Sequence, residues 1–370
     1  MYRVLLCLCV ALLIACNPRA TLIEVPDAAD IGKLRSVFVG TTRAFDPETG
    51  SFGDGRLRIG TNFARFDVSI PPDRKLGEIT WPKPHHAPDP THDFLITKSV
   101  IYDGATPFRK DLAARLALQK SGGREVTVFT HGFNTTFGEG LYRIAQMSED
   151  LDLPGVMVHY SWPSAGKPLA YVRDRDSALF ARDGLETLLR EVAAAGAERI
   201  VIVGHSMGAA LTMETLRQMA LQGDRQVRPL IGGIILLSPD IDVDVFHAQA
   251  RTIGKLPQPF LIFTSRKDKA LALSARLTGQ RRDRLGNLRD VSDLADLDVT
   301  IVDVAAFSTG DGHLTVGDSP ALIRLLSRIG DIDTAFSNDR TGRPGLFPGV
   351  VLTLQNATSI ILRPITGGSN

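Results

Sequence analysis

Short apolar runs rich in β-branched residues recur along the chain and alternate with segments of helical periodicity. Six runs have the length and composition of buried strands: 126–130, 156–162, 199–203, 230–238, 259–264 and 298–304. Between and after them, apolar residues recur at helical spacing over 138–151, 174–195, 207–221, 241–251, 269–277 and 318–329. Strands that are apolar throughout and alternate with helices predict an α/β fold, with a mostly parallel central sheet and helices on both faces.

Three more strand-like runs precede this alternation, at 36–43, 64–72 and 93–103. We expect them to add antiparallel strands at the N-terminal side of the sheet. The glycine-rich stretch FDPETGSFGDGR, which follows the first of these runs, is interpreted as a loop. The tail over 331–370 ends in two short apolar runs around a polar turn, which is typical of a hairpin.

The first sixteen residues, MYRVLLCLCVALLIAC, have the organisation of a bacterial export signal. Arg3 supplies a positive charge, and the apolar run over 4–14 is too short to span roughly 30 Å of hydrocarbon as a helix. The ending LIAC resembles a lipobox, in which Cys16 is acylated and becomes the mature N-terminus. All three cysteines lie in this segment, so a chain processed at Cys16 has no thiol pair for a disulfide.

These patterns predict a chain of four parts: a lipoprotein signal peptide over 1–15, a tether over 16–35, an α/β domain over 36–330 and a C-terminal extension over 331–370. The predicted location is the bacterial cell envelope, where lipidated Cys16 anchors a periplasm-facing protein. Asn17 after the cysteine favours the outer membrane, by resemblance to enteric lipoproteins. The formal net charge of +1 supplies no strong field for nucleic acid, so no nucleic-acid partner is expected.

The stretch RIVIVGHSMGAALTMETL places Ser206 between a strand and a helix, in a G-x-S-x-G pattern. This arrangement is typical of a nucleophile elbow, a tight turn at which only glycine fits at positions 204 and 208. The turn would hold the hydroxyl of Ser206 at the carboxyl edge of the sheet, beside a helix N-terminus. The alternative is a glycine-rich turn that only packs the helix on the strand.

A serine nucleophile needs a base and an acid that orients it. His313, in FSTGDGHLTVGDSP, follows the last strand of the alternation and is the candidate base. Asp268 follows the strand 259–264 and is the preferred acid, while Asp240 follows the strand before and is the alternative. Either aspartate keeps the chain order Ser, Asp, His. Asp268 could instead be a solvated charge between lysines, and Asp240 a helix N-cap.

Donors for a developing oxyanion are expected where the strand 126–130 ends, in THGFNTT. The backbone N–H groups of Phe133 and of Met207, the residue after the serine, are the candidates. Each such donor contributes about 10²–10³ to the rate. The alternative for this motif is a turn that contains a buried histidine.

Other features carry less specific information. His85, His86 and His92 lie in a proline-rich loop without accompanying cysteine or glutamate, so we expect a solvated loop and no metal. An arginine-rich stretch is expected to be a solvated surface, or one that faces anionic lipid: Arg276, Arg281, Arg282, Arg284 and Arg289. Four aromatic residues after strand ends are candidates for an acyl pocket or for core packing: Phe133, Phe137, Trp162 and Tyr171.

The order of HGFN, WPSAG, YVRDRDSA, GHSMG, LSPDID, TSRKDKAL and GDGH resembles the alpha/beta hydrolase superfamily. It resembles in particular a bacterial branch of esterase- and lipase-like hydrolases, over about residues 36–330. The resemblance implies an alpha/beta-hydrolase fold and a serine hydrolase that acts through Ser206, His313 and an acid, without metal or organic cofactor.

The function expected is hydrolysis of carboxylic esters by a membrane-anchored enzyme, on a small-molecule or lipid-like acyl substrate. The same residues would serve an amidase, a peptidase or an acyltransferase. A non-catalytic envelope lipoprotein that binds a ligand in this fold is the other class. The pattern specifies no oligomeric state.

Overall fold

The computed structural model describes residues 19–279, 284–308, 310–327, 349–354 and 357–362. Within these ranges the strands are β1 (Lys33–Thr41), β2 (Arg43–Asp46), β3 (Ser51–Arg56), β4 (Asn62–Ile70), β5 (Leu95–Tyr102), β6 (Glu125–Thr130), β7 (Val156–Ser161), β8 (Arg199–His205), β9 (Ile231–Leu237), β10 (Phe260–Thr264), β11 (Thr300–Asp303), β12 (Gly349–Leu354) and β13 (Ala357–Leu362). The α-helices of the same ranges are α1 (Ala105–Leu116), α2 (Phe137–Asp150), α3 (Tyr171–Phe180), α4 (Arg182–Ala194), α5 (Met207–Leu221), α6 (Val243–Ile253), α7 (Lys269–Leu277), α8 (Thr315–Asp318) and α9 (Pro320–Ser327).

The central sheet of the described residues has eleven strands, in the order β12-β13-β11-β10-β9-β8-β6-β7-β1-β4-β5. All neighbouring pairs from β13 to β1 are parallel. β12 pairs antiparallel with β13 at one edge, and β4 pairs antiparallel with β1 and β5 at the other. The prediction of a mostly parallel sheet with antiparallel strands on its N-terminal side is confirmed.

Helices cover both faces of this sheet, as predicted. Along β8, Ile200 and Ile202 point into one hydrophobic core with α1, α3, α4, α5 and α6, while Val203 points into a second core with α2, α8 and α9. Alternate residues of a strand face opposite sides, so a strand between two helical layers must be apolar throughout. Full burial of each such side chain stabilises the folded state by about 1.5–3 kcal/mol relative to leaving it exposed.

Three local elements differ from the sequence expectations. Helix α1 was not predicted, because only three of its twelve residues are buried and the apolar signal is weak: Phe108, Leu112 and Leu116. The glycine-rich stretch expected as a loop contains the hairpin β2–β3, in which the rings of Phe45 and Phe52 meet edge to face. The helix expected over 174–195 is divided at buried Ala181, whose carbonyl accepts a hydrogen bond from the Tyr160 hydroxyl at 2.5 Å.

Both ends of the described chain pack against the domain. Of the segment expected to be a tether, the part from Arg19 onward is held to the domain, because Arg19 pairs with Glu139 at 2.6 Å and Ala28 is fully buried. Residues beyond 330 extend the sheet through β12 and β13, while 331–348 lie outside the described residues. The predicted signal peptide and Cys16 also lie outside them. No helix of the described ranges is both long and apolar enough to cross a membrane.

Candidate active site

Ser206 occupies a strained turn between β8 and α5. Its φ of 54° and ψ of −119° lie where a non-glycine residue is strained. A Cβ at Gly204 would lie 2.8 Å from the Cα of Ala209, and one at Gly208 would overlap the carbonyl oxygen of His131. The two glycines are therefore required by close backbone approach on both sides of the serine, as a nucleophile elbow demands.

Hydrogen bonds with β9 and with the loop after it hold the strained backbone of Ser206. Its N–H donates to the carbonyl of Leu237 at 2.9 Å, at the end of β9. Its own carbonyl accepts from the N–H of Asp240 at 3.1 Å. The turn is thus fixed to β9 and the loop after it, which keeps Ser206 at the carboxyl edge of the sheet.

His313 and Asp268 form a hydrogen-bonded pair at the same edge. Nδ1 of His313 lies 2.8 Å from one carboxylate oxygen of Asp268, whose side chain is fully buried. The other carboxylate oxygen accepts the N–H of Leu271 at 2.9 Å and caps α7. Burial lowers the pKa of His313, but the hydrogen bond and charge of Asp268 outweigh burial, so the pKa is raised.

The loop that carries His313 is packed against the strand that leads into the elbow. The rings of His313 and His205 lie with centroids 4.8 Å apart, and His205 directly precedes Ser206. The N–H of His313 donates to the carboxylate of Asp311 at 3.0 Å, which fixes the turn before the imidazole. The fold thereby places the hydrogen-bonded pair His313–Asp268 against His205, the residue before Ser206, although more than one hundred residues separate His205 from His313.

Asp240 is held in a different network and does not contact His313. Its carboxylate accepts from the hydroxyls of Tyr171 at 2.8 Å and Ser274 at 2.6 Å. Nε of Arg284 lies 3.2 Å away, and both charged side chains are buried. Burial and the charge of Asp240 raise the pKa of Tyr171 to about 12. Arg284 is consequently an internal counterion, which corrects its assignment to a solvated arginine-rich surface; Arg281 and Arg282 lie outside the described residues.

The two predicted oxyanion donors lie at the ends of adjacent strands. β6 and β8 are neighbours in the sheet, with Thr130 opposite Gly204. Phe133 follows β6 and precedes Asn134, whose φ of 56° turns the chain sharply. Met207 is the first residue of α5, where backbone N–H groups have no helical acceptor. The turn that carries Phe133 approaches the serine closely, since a Cβ at Gly132 would lie 3.0 Å from the Cβ of Ser206.

The histidine of the same turn, His131, is a structural residue. It is buried, and its two ring nitrogens lie 2.9 Å from the carbonyl of Gly132 and 3.1 Å from that of Trp162. Its ring stacks on the indole of Trp162 at 4.9 Å. Burial holds the pKa of His131 well below its ordinary value, so the ring is neutral.

Arg43 was not singled out from the sequence. Its side chain supports the turn after β6, which carries Phe133. Its buried guanidinium donates to the carbonyls of Thr135 at 2.9 Å, Ser164 at 3.0 Å and Gly53 at 3.0 Å. Burial lowers the pKa of Arg43 to about 10. The signal that could have revealed it is an arginine at the end of a strand-like apolar run, in VFVGTTR.

A buried aspartate completes this support. Asp174 of α3 accepts from the hydroxyl of Ser164 at 2.6 Å and from the N–H of Ala165 at 2.9 Å. The same Ser164 hydroxyl oxygen accepts the N–H of Thr135 at 3.2 Å. The loop after β7 is thus tied to the turn after β6, two residues from Phe133.

A cleft of about 610 Å³ opens beside the elbow. Of the four aromatic candidates for an acyl pocket, Tyr171 lines the cleft and Phe133 packs edge to face on Tyr171 at 5.4 Å. Phe137 and Trp162 are buried in the two hydrophobic cores, so for these two residues the core-packing alternative holds. Within the described residues no three histidine, cysteine or acidic side chains are grouped as a metal site.

Fold and site together define an alpha/beta hydrolase, with an elbow serine, a histidine and an aspartate at the carboxyl edge of a parallel sheet. The chain belongs to the family described as alpha/beta hydrolase of unknown function (DUF900), which matches residues 106–329. No curated protein is significantly similar in sequence.

Three solved structures share limited similarity. A lipase-esterase related protein from Clostridium acetobutylicum is 16% identical, with 55% of this chain and 82% of that chain covered and a TM-score of 0.25. An esterase from Pyrococcus furiosus is 11% identical over 78% and 87%, with a TM-score of 0.30. The esterase Est22 is 12% identical over 80% and 68%, with a TM-score of 0.27.

Proposed function

We propose that this hydrolase cleaves carboxylic esters through an acyl-enzyme on Ser206. The observation that carries the proposal is the 2.8 Å contact between Nδ1 of His313 and the carboxylate of buried Asp268. The loop that carries His313 packs against the end of β8, the strand that leads into the elbow. Asp268 holds the imidazole in the tautomer whose other nitrogen accepts a proton. His313 is the base, and Ser206 is the nucleophile.

In the first half-reaction the hydroxyl oxygen of Ser206 forms a bond to the acyl carbon, and His313 takes the hydroxyl proton. The N–H groups of Phe133 and Met207 donate to the oxyanion of the tetrahedral intermediate. The bond to the alcohol oxygen then breaks, and His313 gives its proton to the departing alkoxide. In the second half water attacks the acyl-enzyme, His313 takes its proton and returns it to Ser206, and the carboxylic acid leaves.

The test is labelling by a fluorophosphonate probe together with hydrolysis of p-nitrophenyl acetate. The wild type should be labelled and active, and Ser206→Ala should lose both properties. Ser238→Ala is the matched control, because Ser238 is also buried, has a φ of 43° and follows the neighbouring strand. Equal labelling of wild type and Ser206→Ala would exclude Ser206 as the nucleophile.

We also propose that the enzyme is anchored in the bacterial envelope through lipidated Cys16, facing the periplasm. The support is the lipobox-like LIAC sequence after a short apolar run. Metabolic labelling with an alkyne fatty acid should mark the wild type and Cys9→Ser, because Cys9 lies within the predicted signal peptide. Cys16→Ser should stay unlabelled; a labelled Cys16→Ser variant would contradict the anchor.

A further inference from the structure

The cleft beside Ser206 lies between α3, α5 and α6. Its volume of about 610 Å³ falls in the range of roughly 300–1,000 Å³ that is usual for small-molecule sites. The apolar part of its lining consists of Tyr171, Val172, Ala178, Leu179, Met207, Ala210, Leu211, Ile241 and Val245. It adjoins the elbow, since Met207 follows the serine and Asp240, which also lines the cleft, donates its N–H to the serine carbonyl.

The wall of the cleft contacts Phe133, the residue of one proposed oxyanion donor. Tyr171, in its wall, packs against Phe133 at 5.4 Å. Among the described residues, Ser206, His313 and Asp268 do not contribute to the lining, so the cleft reaches the elbow through Met207. The departing alcohol must receive its proton from His313 and therefore leaves on the histidine side. The acyl part of the substrate is then directed to the opposite side, into the cleft.

The cleft is also lined by polar and charged side chains: Arg175, Asp176, Glu214, Asp240, Asp242, Gln249, Thr278 and Arg284. Of these, Asp240 and Arg284 are buried and paired with each other. The Asp240 carboxylate is bound by Tyr171, Ser274 and Arg284, so it needs no ligand. The rim, by contrast, presents large apolar side chains to solvent. Val172 is 72% exposed, and Leu179 and Val245 are about half exposed. An aliphatic chain that covers them would remove apolar surface from water, which is favourable.

From the position and lining of this cleft we infer that it binds the acyl chain, and that the substrates are esters of medium-chain aliphatic acids. Leu179 and Val245, at the rim, set the length that fits. The inference rests on the proposed ester hydrolysis. A buried methylene raises kcat/KM up to about fourfold, so kcat/KM should rise by on the order of 10² from acetate to hexanoate.

The experiment compares p-nitrophenyl esters from acetate to dodecanoate on the full chain. Leu179→Trp and Val245→Trp place a bulky ring in the mouth of the cleft, at exposed positions where folding is little affected. Both should lose at least tenfold in kcat/KM on octanoate and less than threefold on acetate. Leu221→Trp is the control, because Leu221 is exposed on the far end of α5, outside the cleft lining; it should match the wild type.

A second series keeps the octanoyl group and varies the alcohol. We expect the loss of kcat/KM in the tryptophan variants to depend on the length of the acyl chain and not on the size of the alcohol. A wild type indifferent to acyl length, or variants that lose acetate and octanoate equally, would overturn the cleft assignment while ester hydrolysis stands. Variants selective for alcohol size would make the cleft a leaving-group site. Absence of both hydrolysis and fluorophosphonate labelling would reject the proposed function itself.

Discussion

Replacing Asp268 with asparagine should abolish most of the activity without unfolding the protein. Asparagine retains an oxygen for the Leu271 N–H, so the cap of α7, which contributes about 1 kcal/mol, is kept. The amide nitrogen of the asparagine then faces Nδ1 of His313 and can donate an N–H to it, which stabilises the wrong tautomer of the imidazole. The equivalent change in a serine-protease triad lowers kcat about 10⁴-fold, or about 5 kcal/mol of transition-state stabilisation. We expect a loss of 10³–10⁴ here.

Asp240→Asn is the contrasting variant, because the two carboxylates lie at the same edge of the sheet. Removing the charge of Asp240 leaves buried Arg284 without its counterion. Breaking a buried ion pair lowers the free energy of unfolding by about 3–5 kcal/mol, which lowers Tm by roughly 6–10 °C. Because Asp240 does not contact His313, kcat should change less than tenfold.

Ester hydrolysis and thermal unfolding of both variants separate the two roles. Asp268→Asn should lose kcat and keep its Tm, and Asp240→Asn should lose Tm and keep most of its kcat. If Asp268→Asn retained kcat within tenfold of the wild type while Asp240→Asn lost it, the acid assignment would be reversed.

Two further predictions concern proton transfer and positioning. Burial lowers the pKa of His313, but Asp268 raises it by more. Since the neutral ring is the base, kcat/KM should fall as the pH drops, with a midpoint above the ordinary 6.5. Asp268→Asn should move that midpoint to lower pH. A midpoint that does not move would refute this coupling. Arg43→Lys keeps the charge but loses the fork that binds the Thr135 and Ser164 carbonyls, so kcat should fall about 10–10² with little change in KM. Surface Arg58→Lys should match the wild type, and an Arg43→Lys variant that lost only Tm would limit Arg43 to stability.

The repeating apolar pattern alone determined most of the parallel sheet and the helices that cover it. The bounds of α5 and α7 agree with the periodicity, and the elbow follows from glycine at 204 and 208. These features depend on residues close together in the sequence, where spacing fixes which side chains share a face.

Tertiary structure decided which polar groups meet. Asp240 and Asp268 follow adjacent strands and are alike in sequence, but only Asp268 reaches His313, 45 positions away. Arg284 looks like a surface charge until the fold buries it against Asp240, and Arg43 contacts a turn 92 residues distant. Such contacts depend on strand order and loop paths, and local periodicity carries no information about either. The sequence therefore determines the layers, and packing between distant segments determines the geometry of the site.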